Sequence, residues 1–234
     1  YVIIFSRKLF INFHYFLLHL SQRALGYKNF GSLRKTGERN FLKKINKFGI
    51  KTSVDIGANK GDYSKEIITN TNSFVVAFEP MRKSFTKLKK LEKNFSNKIK
   101  CFNIALSDRN GQNTIYFQNT SSELASFQKN IKNLSYIKKE NIKGKKIKVL
   151  KLDTFVNKKN KLFKKGIDFI KIDTEGYDYE VLMGSMKTIQ RFRPKFIQFE
   201  MNWHYLFSGI NLYKICNKLP NYYPFRLLPY ESGL

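Results

Sequence analysis

Residues 54–64 read VDIGANKGDYS, the pattern of a short apolar strand, a glycine turn and the start of a helix. Gly57 permits a tight turn, and Gly61 permits the backbone to approach a ligand closely. The first N–H groups of the following helix have no partners within it and would point into the same crevice. The segment therefore indicates a ligand site, while an ordinary strand-to-helix turn with two glycines can have the same sequence.

The next predicted strand ends in Glu79-Pro80, close to the spacing of about 20 residues at which an acid binds a ribose in nucleotide-binding folds. A carboxylate there can accept hydrogen bonds from both ribose hydroxyls. Dinucleotide oxidoreductases share this pair of features, but they bind pyrophosphate through G-x-G-x-x-G, and Asn59 stands at the second glycine position here. A ligand with a ribose and no phosphate, such as S-adenosylmethionine, fits better.

Strand-like and helical patterns alternate from Lys51 onward, which predicts an α/β fold with a parallel sheet. Five strands are predicted at 53–56, 73–78, 99–104, 167–172 and 195–200. Helices are predicted at 38–48, 62–69, 81–95 and 177–189. Residues 113–117 and 147–152 alternate apolar and polar side chains, as half-exposed antiparallel strands do. The Lys-rich segment 121–146 is predicted to be a loop.

Six segments, in order and spacing, resemble the motifs of FkbM-type methyltransferases: VDIGANKGDYS, VVAFEP, CFNIALSDRNG, KLDTF, IDFIKIDTEGYDYEVLMGS and PKFIQFE. The resemblance runs from about Glu38 to Trp203. It implies a Rossmann-like class I methyltransferase fold, a mostly parallel central sheet flanked by helices. It also implies S-adenosylmethionine as the methyl donor and O-methylation of a carbohydrate hydroxyl, on a surface glycan or its lipid-linked precursor, or of a similar natural product.

Roles for individual residues follow from the same resemblance. The turn from Asp55 to Gly61 would hold the methionine part of the donor, Glu79 the ribose and Asn103 the adenine. The predicted cofactor-binding residues are Asp55, Gly57, Asn59, Gly61, Tyr63, Glu79, Asn103 and Asp173. The methyltransferase domain would span residues 38–234, with its C-terminal strands incomplete, after an apolar and basic helical extension over 1–37.

A hydroxyl acceptor must lose a proton, so a base within hydrogen-bond reach is expected. Four residues near the ends of the fourth and fifth strands are candidates: Asp173, Glu175, Glu200 and His204. Asp173 and Glu175 would equally suit caps of the helix that follows them. His204 would equally suit packing among its aromatic neighbours. The sequence does not choose among the four.

The formal net charge is +27, and the chain has 35 Lys and 9 Arg. Arg is the cation that reads phosphates and guanines best, so a Lys excess of this kind is better explained by coding bias and solvated faces than by a specific nucleic-acid site. Two other functions remain open. One is a nucleic-acid methyltransferase, although the enzymes that methylate exocyclic base nitrogens usually resemble one another in an N/D-P-P-Y/F motif where this chain has Asp173-Thr174-Glu175-Gly176. The other is a non-catalytic S-adenosylmethionine-binding protein of the same fold.

Cys101 and Cys216 lie far apart, and with three His residues they predict neither a disulfide framework nor a metal site. The first twenty residues are apolar, but Arg7 and Lys8 interrupt them, and the uncharged run that follows is shorter than the roughly 20 residues of a spanning helix. They predict a helix packed on the domain or a peripheral helix on an anionic membrane surface. A cytoplasmic location is expected, and the oligomeric state is not predicted.

Overall fold

The computed structural model describes residues 10–24, 37–118, 121–126, 142–201 and 209–227. The chain divides into one unit made of Tyr1–Ile45 and Pro224–Leu234 and a second unit made of Asn46–Tyr223. All six segments that carry the family resemblance begin in the second unit. The architecture of that unit therefore decides where a site can form.

Two helices precede the sheet. Helix α1 spans Ile11–Ala24, and helix α2 spans Glu38–Asn46. No side chain of α1 is buried, and its exposed large apolar residues are Ile11, Phe13, Tyr15, Phe16, Leu17, Leu18 and Leu20. Helix α2 buries Phe41, Leu42 and Ile45, which share one helical face. None of the helices that the structure describes is long and apolar enough to cross a membrane.

A five-stranded sheet forms the centre of the second unit. Its strands are β1 (Thr52–Ile56), β2 (Phe74–Phe78), β3 (Ile99–Phe102), β8 (Phe169–Ile172) and β9 (Phe196–Phe199). They lie in the order β3-β2-β1-β8-β9, and each neighbouring pair is parallel. The α/β class and all five predicted strands are confirmed.

The strands are mostly apolar because they lie inside the unit, although β1 (TSVDI) also buries polar residues. Helix α3 (Asp62–Asn70) connects β1 to β2, and helix α4 (Arg82–Asn94) connects β2 to β3. Strands covered on both faces read as continuous apolar runs, such as FVVAF in β2. The core includes Val54, Ile56, Val76, Phe78, Ile170 and Ile172. Strand β8 departs from the pattern, because its third residue is Lys171, which is 5% exposed.

A second sheet follows the third parallel strand. It contains β4 (Ala105–Leu106), β5 (Gly111–Gln118), β6 (Ser121–Ser126) and β7 (Ile142–Leu150), in the order β4-β7-β5-β6. The predicted antiparallel pair is confirmed as β5 and β7. The predicted loop over 121–146 was wrong at both ends, because β6 and the start of β7 pair with β5 there. The predicted strand over 147–152 was too long, since Leu152 begins helix α5 (Leu152–Lys158).

The helix predicted at 177–189 is two helices, α6 (Asp178–Met183) and α7 (Met186–Phe192). The break is at Gly184, where an added Cβ would lie 1.9 Å from the carbonyl oxygen of Ser107. This close backbone contact fixes the chain at a point that the apolar periodicity does not reveal. Helix α8 (Leu212–Lys218) follows β9, and its N-cap Asn211 accepts a hydrogen bond from the Lys214 N–H.

Candidate active site

A crevice lies at the carboxyl ends of β1, β2 and β8. In open parallel sheets, ligands bind at the point where the strand order reverses, which here lies between β1 and β8. The crevice is lined by Ile56, Gly57, Asn59, Phe78, Glu79, Pro80, Met81, Ile104, Ala105, Leu106, Ile115, Asp173, Thr174 and Glu175. Five predicted site residues, Gly57, Asn59, Glu79, Asp173 and Glu175, are therefore brought together.

Gly57 joins the two halves of the crevice. Its φ is 83°, and a Cβ at this position would lie 1.7 Å from the Asp173 carbonyl oxygen. The Asp173 N–H also donates to the carbonyl oxygen of Ile56 at 3.0 Å. The glycine turn after β1 thus packs directly against the acidic loop after β8, which only a residue without a side chain permits.

Glu79 lies where the predicted ribose acid should be, at the end of β2. One carboxylate oxygen accepts from the Asn59 N–H at 2.9 Å, and the other accepts from the Met81 N–H at 2.6 Å. The side chain is buried, and this burial raises its pKa to about 7 against the hydrogen bonds that lower it. The carboxyl group is thus fixed in the crevice by two backbone contacts.

Two oxygen atoms beside the glycine turn are buried without a hydrogen-bond partner, Oδ1 of Asn59 and Oδ1 of Asp55. Asn59 lines the crevice and has a φ of 47°, a left-handed conformation that Asn tolerates better than most residues. Asp55 is fully buried, its other oxygen accepts from the Ser64 hydroxyl at 2.6 Å, and burial raises its pKa. Buried polar atoms are rarely left unsatisfied, so the oxygen of Asn59, which lines the crevice, indicates a ligand with an N–H donor.

Three carboxyl groups meet at the other end of the crevice. Oxygen atoms of Asp173, Glu175 and Glu200 all lie within 4.8 Å of one another. Among the acids that the structure describes, these are close enough to share a cation, and the Lys171 ammonium already lies 2.7 Å from Oδ2 of Asp173. The absence of a bound metal stays a prediction.

The loop that carries Asp173 and Glu175 is held by a different acid. Oδ1 of Asp178 accepts from both the N–H and the hydroxyl of Thr174, at 2.7 and 2.6 Å. Helix α6 has no side-chain cap at its N-cap residue, Tyr177. Asp178 therefore holds the loop that carries Asp173 and Glu175, and the capping role that the sequence left open for those two acids stays a prediction.

Three predicted cofactor-binding residues make contacts within the protein, and their roles toward a donor stay predictions. The Tyr63 hydroxyl donates to Gln198, and its ring lies under the Lys171 ammonium, so the side chain faces the sheet. Asn103 donates to the carbonyl oxygens of Glu79 and Pro80, which fixes the turn rather than lining the crevice. Gly61 is required by its φ of 94° and by the side chains of α4, since an added Cβ would lie 2.9 Å from a Leu88 methyl group.

Two residues at or beside the crevice were not predicted from the sequence, and one predicted residue lies outside the part of the chain that the structure describes. Ile115 of β5 lines the crevice, although nothing in its local sequence shows that the second sheet reaches it. Lys171 had a visible signal, a charge inside a buried apolar strand. His204 lies outside the described residues, so its proposed role as a base stays a prediction.

The sheet order and the crevice define a Rossmann-like α/β protein. A family model, the methyltransferase FkbM domain, matches residues 55–222. The chain therefore belongs to the FkbM methyltransferase family, and both the resemblance and the predicted class I methyltransferase fold are confirmed. No curated protein matches the chain.

Two solved structures illustrate the similarity. A methyltransferase FkbM from Methylobacillus flagellatus KT is 17% identical, with a TM-score of 0.41 over 62% of this chain and 31% of that one. A precorrin-6y C5,15-methyltransferase from Geobacter metallireducens GS-15 is 11% identical, with a TM-score of 0.37 over 84% of this chain and 78% of that one. Similarity at this level says nothing about the substrate of this chain.

The acid cluster makes stability depend on pH. Burial of its carboxyl group, followed by the charge of Asp173, raises the pKa of Glu200 to about 8. Although the residue as a whole is exposed, its carboxyl group lies against those of Asp173 and Glu175. The pKa of Glu200 in the folded chain lies above its ordinary value, so the protonated carboxyl group stabilises the fold. This contribution to the free energy of unfolding is full below about pH 4.5 and is lost as the pH rises through about 8.

We expect Glu200→Gln, which cannot ionise, to remove the loss of stability that ionisation of Glu200 causes at high pH. Melting temperatures measured from pH 5 to 9 should show the variant gaining on the wild-type chain as the pH rises. Asp62→Asn, at an exposed acid of α3, should leave the pH dependence unchanged. Parallel curves for wild type and Glu200→Gln would show that Glu200 carries no raised pKa.

Proposed function

We propose that the chain is an S-adenosylmethionine-dependent O-methyltransferase that acts on a hydroxyl of a carbohydrate. The observation that carries the proposal is the layout of the crevice. One end has the turn and acid typical of a nucleoside site, and the other end has a cluster of carboxyl groups. A donor bound along the crevice would have its reactive end toward a base.

The residues present fit this donor. Glu79 has two oxygens that can each accept a further hydrogen bond, as a ribose diol requires. The unsatisfied Oδ1 atom of Asn59, which lines the crevice, suits the ammonium group of a methionine moiety. The apolar side chains of Ile104, Leu106 and Ile115 supply a wall for a flat base.

When bound, the donor supplies a methyl group on a sulfonium sulfur, and the carbon–sulfur bond breaks with its electron pair left on sulfur as the bond to the acceptor oxygen forms. The protein must hold the acceptor oxygen in line and accept its proton. We assign the proton to the carboxylate of Asp173, which lines the crevice. Glu175 and Glu200 lie close enough to pass the proton on or to orient the hydroxyl.

The charge of the cluster supports a hydroxyl acceptor over a nucleic acid. The carboxylates of Asp173 and Glu175 at the reactive end would repel a phosphate backbone, and like charges in contact cost several kcal/mol. A sugar hydroxyl gains hydrogen bonds from the same groups. The Lys residues that give the chain its net charge of +27 are consistent with a weak, salt-sensitive association with nucleic acid.

The donor end of the crevice can be tested through Glu79. Glu79→Ala should weaken the binding of S-adenosylmethionine at least tenfold, about 1.4 kcal/mol, because the ribose hydroxyls lose their acceptor. Isothermal titration calorimetry measures this directly.

Asp168→Ala is the matched control. Its carboxylate also accepts from two backbone N–H groups, those of Lys51 and Thr52, but at the amino end of the strands. This variant should lose stability and keep its donor affinity. Equal affinity in folded Glu79→Ala and wild type would remove Glu79 from the donor site.

The acceptor end can be tested through Asp173. Asp173→Asn should lower methyl transfer by about 10²-fold while donor affinity stays within a few-fold, because the amide cannot take the proton. Transfer of labelled methyl groups to the polysaccharide fraction of source cells measures the rate.

Asp153→Asn controls for a loss of stability alone. Its carboxylate accepts from the N–H groups of Lys187 and Thr188 at the start of α7, so its loss should cost about 1 kcal/mol and leave transfer unchanged. Full activity in a stable Asp173→Asn variant would show that Asp173 is not the base. Glu175, Glu200 and His204 would then be the remaining candidates.

A further inference from the structure

Lys171 is a buried cation in the middle of the central sheet. Its side chain is 6% exposed, and its strand is otherwise apolar. An ammonium group leaves water at a high free-energy cost unless it is paired, so a lysine in a strand core needs an explanation. An apolar residue would fill the same position in a sheet whose purpose was stability alone.

The strand register places Lys171 in a polar row across the sheet. Lys171 pairs with Asp55 of β1 on one side and with Gln198 of β9 on the other. Residues at matching register in parallel strands share a face. The lysine therefore lies on the same face as the buried acid of the glycine turn.

Helix α3 completes the surroundings of the ammonium group. The Tyr63 ring lies 4.7 Å from Nζ of Lys171, measured to the ring centroid, and the Tyr63 hydroxyl donates to Gln198. A cation over an aromatic face is stabilised by the ring electrons. Ring and strand together restrict the lysine side chain to one direction.

That direction leads to Asp173. Nζ of Lys171 donates to Oδ2 of Asp173 at 2.7 Å, and Asp173 has its backbone against Gly57. Asp173 is thus held through both its backbone and its side chain. The charged or ionisable groups around it are Lys171, Asp55, Glu79, Glu175 and Glu200. In this group, Lys171 is the cation.

We propose that Lys171 is a positioning residue for methyl transfer, which holds the carboxylate of Asp173 charged and correctly oriented at the reactive end of the crevice. The inference rests on the proposed function. Lys171 does not line the crevice itself, so it acts on the acceptor through Asp173. The acceptor proton passes to Asp173, and the ammonium group keeps its own protons throughout.

The first test separates turnover from donor binding. Lys171→Met removes the charge and keeps the length of the side chain. It should lower the kcat of methyl transfer about 30-fold or more, because orientation at the reacting atoms is lost, while the Kd for S-adenosylmethionine stays within about threefold. Lys171→Arg keeps a cation and should recover most of the rate.

Lys195→Met is the matched control. Nζ of Lys195 lies 3.4 Å from Oδ1 of Asp168, a lysine–aspartate pair near the amino ends of β8 and β9. This variant should leave kcat unchanged. If Lys171→Met does not fold, Lys171→Gln, which still donates a hydrogen bond but has no charge, replaces it. Full turnover in either folded variant, or a matching loss of donor affinity, overturns the proposal.

The second test needs no acceptor, so it distinguishes this proposal from the proposed function. The chain is labelled with carboxyl-¹³C aspartate, and the Asp173 signal is identified by its absence in Asp173→Asn. At pH 7 the signal should have the shift of a carboxylate in wild type and Lys171→Arg, and it should move toward that of a carboxylic acid in Lys171→Met. An unchanged signal in all three overturns the proposal, whatever the acceptor is.

Discussion

The site depends on one backbone contact, between Gly57 and the carbonyl group of Asp173. Strand β1 leads into the glycine turn, and β8 leads into the loop that carries Asp173 and Glu175. The missing side chain of Gly57 lets the two loops touch. The glycine turn and the acidic loop therefore line one crevice, and a Cβ at position 57 would push them apart.

A second constraint is electrostatic. The crevice gathers Asp55, Glu79, Asp173 and Glu200 in or next to a buried sheet, and burial or neighbouring charge raises the pKa values of Asp55, Glu79 and Glu200. Such acids are costly in their charged form. Lys171 offsets part of this cost from within the sheet, and perturbed acids around a cleft are typical of functional sites. The same arrangement links the fold to the chemistry proposed for it.

The sequence predicted which residues form each strand better than it predicted which distant residues contact one another. The five parallel strands were predicted because buried strands are apolar runs between helical patterns, and Glu79 and Asp173 were predicted because they end such runs. The contacts that Tyr63 and Asn103 make within the protein were not predicted, since spacing does not show whether a side chain faces the ligand, the sheet or the neighbouring turn. Gly184 and β6 were missed for a related reason: both depend on contacts with distant segments.

The central claim is that the crevice between β1 and β8 binds a nucleoside donor whose reactive end lies at Asp173. A crystal structure of the chain with S-adenosylhomocysteine tests it most directly. We expect both ribose hydroxyls to lie on the carboxylate of Glu79 and the sulfur atom to lie on the side of Asp173. A ribose bound away from Glu79, or a sulfur atom at the opposite end of the crevice from Asp173, would contradict it.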